Sequence, residues 1–101
     1  ALPAVTALSV REDLDARTRS RSENALGWIL AGLGRPDEAA PHLEKAAGLD
    51  PSDPAAARNL GALLDRKGDL AGARAWYRKA LAVKADQPDV AARLSALEPQ
   101  P

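Results

Sequence analysis

Cysteine, methionine and phenylalanine are absent from this 101-residue chain, and histidine occurs once. Without cysteine there are no disulfides and no thiolate zinc sites, although the redox compartment stays open. The only aromatics are Trp28, Trp76 and Tyr77. β-branched residues are scarce as well, so little in the chain favours strands. Net charge is also missing: 14 basic residues balance 14 acidic ones. Bulk attraction to nucleic acid or to an anionic membrane is therefore not expected. No apolar run approaches the roughly 18 residues of a membrane span, and Ala1–Val10 lacks the basic start of a signal peptide. The cytoplasm and the periplasm both remain open as locations.

What the chain has is alanine and leucine, the strongest helix formers, which supply most of its 46% apolar content. This is an all-α composition, rich in Ala and Arg as many bacterial proteins are. The length fits one domain. Leu60 to Leu81 reads as two short amphipathic helices joined by a turn at Lys67-Gly68-Asp69. A weaker copy lies one 34-residue period earlier. Leu60, Gly61 and Leu64 match Leu26, Gly27 and Leu30, while Gly68 matches Gly34 and Ala73 matches Ala39. Lys79 and Ala80 likewise match Lys45 and Ala46. A helical hairpin repeated at this period is the mark of a solenoid.

Residues 1–18 fall outside the repeat and read as an N-terminal arm or linker, with a short helix opened by Pro3 or Thr6 as the alternative. Ser20 or Ser22 is expected to cap the next helix, whose apolar positions are Leu26, Ile29, Leu30 and Leu33, and Gly34 ends it. Pro36 opens a helix to about Leu49, mildly distorted at Pro41, that buries Ala39, Leu43, Ala46 and Ala47. Asp53 caps a third helix from Pro54 to Lys67, burying Ala57, Leu60, Gly61 and Leu64. The fourth, Leu70 to Val83, buries Ala73, Tyr77, Ala80 and Leu81. A last helix from Asp89 to Leu97 shows Val90, Ala91, Leu94 and Leu97 as one stripe and reads as a cap, followed by a Pro-Gln-Pro tail at 99–101. The small residues on the buried faces predict close helix packing.

This pattern resembles the tetratricopeptide repeat (TPR) family. Residues 54–87 carry Leu60-Gly61, Gly68, Ala73, Tyr77 and Ala80, with Ala85 in place of the closing proline. Residues 20–53 carry Leu26-Gly27, Gly34, Ala39, Ala46 and Pro51, with Leu43 in the aromatic position. The early tryptophan of the family is Glu23 in one unit and Ala57 in the other. The resemblance implies a TPR-like helical hairpin solenoid: a right-handed stack of about two repeats, 20–53 and 54–87, plus a C-terminal capping helix at 88–98. It also implies a concave groove lined by the first helix of each pair, and hence a protein or peptide partner. Two and a half units are few for a solenoid, since about three are usually needed. The chain is therefore expected to be a fragment of a longer solenoid, to lean on its arm, or to associate as a homo-oligomer.

Once the buried stripes are assigned, Asn24, Trp28, Arg58, Asn59, Asp65, Arg66 and Arg93 are the groove candidates. Trp and Arg are frequent binding anchors, and Asn can hold a peptide backbone by both donor and acceptor. Bland alternatives stand beside these. Trp28 packs under the arm, Asn59 makes an inter-helix bond, and the arginines pair with Asp65 or Glu23 at the surface. The family's carboxylate clamp of two Lys, two Asn and an Arg is matched only at Asn59 and Arg93. Asn24, Trp28 and Asp89 depart from it, so no clamp is expected. No catalytic constellation, metal-ligand cluster or cofactor loop is present: His42 is a lone surface histidine without a nucleophile in register, and Arg17, Arg19 and Arg21 lack interleaved aromatics. The expected function is a non-enzymatic protein–protein interaction module. The alternative is a self-association or interdomain assembly module of a larger protein, enzymatic or not.

Overall fold

Glycine writes both hairpin turns. Gly34 and Gly68 have φ of 78° and 86°, the left-handed region that an L side chain resists. At each turn the same pair of bonds closes the helix: Gly34 N–H to Ala31 O and Arg35 N–H to Leu30 O, then Gly68 N–H to Asp65 O and Asp69 N–H to Leu64 O. These turns sit in a chain of helices with no strand among the described residues: α1 (Leu2–Gly32), α2 (Pro36–Leu49), α3 (Pro54–Lys67), α4 (Leu70–Val83) and α5 (Pro88–Leu97). The structure is a computed structural model that describes the backbone of residues 2–98 and the side chains of residues 15–98. The tail at 99–101 lies outside the described residues.

Each helix packs on the next in chain order, and α1 also touches α3. Starts are set by proline in the first turn of α2, α3 and α5. Asp53 and Asp69 cap α3 and α4 by accepting from Ala55 N–H and Gly72 N–H, each at 3.0 Å. α2 runs through Pro41 without a break.

At the start of α1 the alternative of a helix opened at Pro3 holds, but not as a short element separate from the next helix. The helix begins at Leu2 and passes residue 18 without interruption, because Pro3 falls in the first turn, where its missing N–H costs nothing. No helix starts near residue 20, so neither Ser20 nor Ser22 is a cap. Ser20 is instead 2% exposed in mid-helix and donates to Ala46 O of α2 at 2.8 Å.

Two adjoining clusters form the core. One joins Ala39 and Leu43 of α2 to Leu60 and Leu63 of α3. The other joins Ala57, Ala73, Tyr77, Ala80 and Val90. Trp76 packs against both. Helices approach closely at Gly27 and Gly61: a Cβ there would lie 2.6 Å from Leu43 and from the Tyr77 ring, respectively. Three expected core leucine-type positions are not buried. Leu26, Ile29 and Leu33 are 41%, 57% and 67% exposed, since no helix lies on that side of α1 among the described residues. Ala91 of α5 is exposed too, while Leu63 and Ala56, unassigned in the sequence reading, are buried.

Candidate functional site

The first helices of the hairpins bring their outward residues to one face. Two depressions of about 620 and 220 Å³ adjoin there, and both are lined by Trp28, Arg58 and Asn59. The larger runs toward Arg21, Asn24 and Asp53, the smaller toward Ala62, Asp89 and Arg93. Together they make a trough across α1, α3 and α5. Trp28 is 51% exposed in it. Arg58 makes no hydrogen bond or ion pair with the described residues. An exposed indole beside an uncommitted guanidinium offers an apolar surface and a cation within one footprint.

Two cross-helix ties set the spacing of the trough. Asn59 Nδ2 donates to Asn24 Oδ1 at 2.9 Å, joining α3 to α1. Arg93 Nε and Nη2 each donate to the Asp65 carboxylate at 2.6 Å, joining α5 to α3, and the Tyr77 hydroxyl donates to Asp65 at 3.2 Å. The Arg93 bonds hold the Asp65 carboxyl below its ordinary range, against the opposing effect of burial. Burial, followed by the negative Asp65, pushes the Tyr77 hydroxyl up to about 12, so it remains a neutral donor. Of the residues expected to face a ligand, Asn24, Trp28, Arg58, Asn59 and Arg93 line the trough. Asp65 is engaged by Arg93 and Tyr77 and lines neither depression; Arg66 is exposed and also lies outside both. Tyr77 and Asp53 contribute to the lining although the sequence reading did not place them there. A buried tyrosine hydroxyl needs a partner, which was the available signal for the link to Asp65.

Elsewhere, His42 Nδ1 lies 2.6 Å from Glu23 Oε2, and this bond is the main cause of the lowered Glu23 pKa. A third depression of about 480 Å³ is bounded by α2, α3 and α4, with Lys79 Nζ 4.2 Å from the centre of the Trp76 ring. Among the described residues, no group of three or more His, Cys, Asp or Glu is placed to hold a metal, and no helix is long and apolar enough to cross a membrane.

Helical hairpins stacked in register, with a trough on their first helices, define a repeat-type protein–protein interaction fold. The tetratricopeptide repeat family model matches residues 24–91, and the chain belongs to that family. Among solved structures it is similar to the type III secretion chaperone SycD of Yersinia enterocolitica, solved in complex with a peptide of the translocator YopD. The TM-score is 0.71 at 26% identity, over 77% of this chain and 65% of that one. The present chain thus spans less than two thirds of SycD's length. No curated protein sequence matches it.

Proposed function

We propose that the chain is a non-enzymatic peptide-binding module whose ligand lies along the α1–α3–α5 trough. The observation that carries this reading is the pairing of exposed Trp28 with Arg58, which has no partner among the described residues, where the two depressions meet. A ligand suited to it presents an apolar side chain to Trp28 and a carboxylate to Arg58. Asn59, with one N–H given to Asn24, retains a second N–H and its carbonyl for a peptide backbone. Arg93 and Asp65 shape the trough by binding each other, so Arg93 contributes less charge to the ligand than its position suggests. SycD, a similar fold, is solved with a peptide bound, which supports the ligand class without naming the partner of this chain.

The test begins with phage-displayed random peptides selected on the wild-type chain, followed by calorimetry of the selected peptides. Trp28→Ala and Arg58→Ala are each expected to weaken binding about tenfold, or ~1.4 kcal/mol, with the helical CD signal retained. Selected peptides that bind both variants as tightly as wild type would place the ligand elsewhere.

A further inference from the structure

The two hairpins correspond at the 34-residue period of the family, and that correspondence isolates one face of α1. Leu60 and Leu63 of α3 are 1% and 3% exposed because α2 covers them with Ala39 and Leu43. One period earlier stand Leu26 and Ile29, 41% and 57% exposed. The rest of α1 keeps its equivalent role, since Gly27 meets Leu43 as Gly61 meets Tyr77. α1 therefore carries the surface that α3 uses to seat a preceding helix. Leu33, 67% exposed, extends that surface by a turn. Its counterpart is Lys67, which bonds Asp37 of α2 at 2.9 Å. The edge that an ion pair closes between α2 and α3 is thus apolar on α1.

We propose that Leu26, Ile29 and Leu33 form a docking surface for the second helix of another tetratricopeptide-type hairpin, supplied from outside the 101 residues of this chain. The occupant carries a small residue followed four positions later by Leu or an aromatic, as in Ala39/Leu43 and Ala73/Tyr77. Two positions before the small residue it carries an apolar side chain rather than Asp37. A second copy of this chain does not offer such a face. Its own Ala39, Leu43 and Ala73 are 0% exposed and Tyr77 5%, already covered by neighbouring helices.

The probe is a peptide of residues 35–50 held helical by a hydrocarbon staple between positions 41 and 45, both exposed in α2. Three versions are titrated into the ¹⁵N-labelled full chain: the native sequence, Asp37→Leu and Leu43→Lys. Shifts are expected in α1 around Leu26, Ile29 and Leu33. The Asp37→Leu peptide should saturate at least fivefold earlier than the native one, and the Leu43→Lys peptide should be silent. Leu26→Lys/Ile29→Lys chain should lose the response at an unchanged Tm, with Leu26→Ala/Ile29→Ala as a second variant should the lysines disturb folding. The proposal is overturned by shifts centred on Arg58, Asn59 and Arg93, by no response at millimolar peptide, or by equal affinity of the Asp37 and Asp37→Leu peptides. It is equally overturned if concentrating the chain alone produces the α1 shifts, which would assign the face to a second copy.

Discussion

A methyl group added at Gly61 would lie 2.6 Å from the Tyr77 ring, whereas one added at Gly48 would meet nothing within 4 Å. Both glycines sit inside helices, where alanine is otherwise better by about 1 kcal/mol. Gly61→Ala is therefore expected to destabilise the fold by about 1–3 kcal/mol through overpacking, and Gly48→Ala to stabilise it by up to ~1 kcal/mol; urea midpoints separate the two. Asp65 allows a second residue-scale prediction. Its pKa is lowered in the fold, chiefly by Arg93, so its stabilising contribution is present above its unfolded value and lost as pH falls through the folded one. Stability should decline below about pH 4, and Asp65→Asn should flatten that acid limb while lowering stability at neutral pH. Thermal unfolding across pH 2–7 measures both effects.

The bounds of α2 and α3 were legible because their ends are written chemically, by proline or aspartate at the start and by glycine or proline beyond the end. α4 has Asp69 at its start, and its end at Val83 lies one 34-residue period after Leu49, the end of α2. The start of α1 was not legible. Pro3 suits a first turn as well as it suits a linker, and a serine that caps cannot be told by type from one that bonds across to another helix. Ser20 does the latter, donating to the last-turn carbonyl of Ala46. Gln87 donates to the equivalent carbonyl of Ala80 at 2.9 Å and to Lys84 O at 2.7 Å. Both carbonyls also accept a backbone N–H, from Asp50 and Lys84. Ser20→Ala is accordingly expected to cost only about 1 kcal/mol, since Ala46 O keeps one partner, and chemical denaturation checks it. Periodicity likewise revealed an apolar stripe at Leu26, Ile29 and Leu33 but not whether a helix covers it. Trp28, Arg58 and Asn59 were legible as outward-facing once the buried stripes were drawn. Pairing of Asp65 with an arginine was among the alternatives read from the sequence. That the arginine is Arg93 and that the Tyr77 hydroxyl joins it was not legible, because both depend on distances to α4 and α5.

Across the whole molecule, the two core clusters meet at Trp76. In a repeat stack, stability is the sum of unit and boundary terms, so a residue shared between clusters couples their unfolding. Trp76→Ala should lower stability by about 3–5 kcal/mol or less, Trp76 being only partly buried, and should also uncouple the hairpins. The measurable sign is that Trp28 fluorescence and far-UV ellipticity unfold at different denaturant midpoints in the variant, whereas tryptophan fluorescence and ellipticity are expected to coincide in the wild type.

The trough is held at its two ends by different physics. Near α1 the tie is the neutral amide bond between Asn24 and Asn59, and near α5 it is the half-exposed ion pair between Arg93 and Asp65. Ionic strength screens the second and leaves the first nearly untouched. Added salt therefore loosens one end of the trough against a fixed other end. A ligand seated near Asn24 keeps its footing in brine, while one that spans to Arg93 meets a gap whose width depends on the buffer.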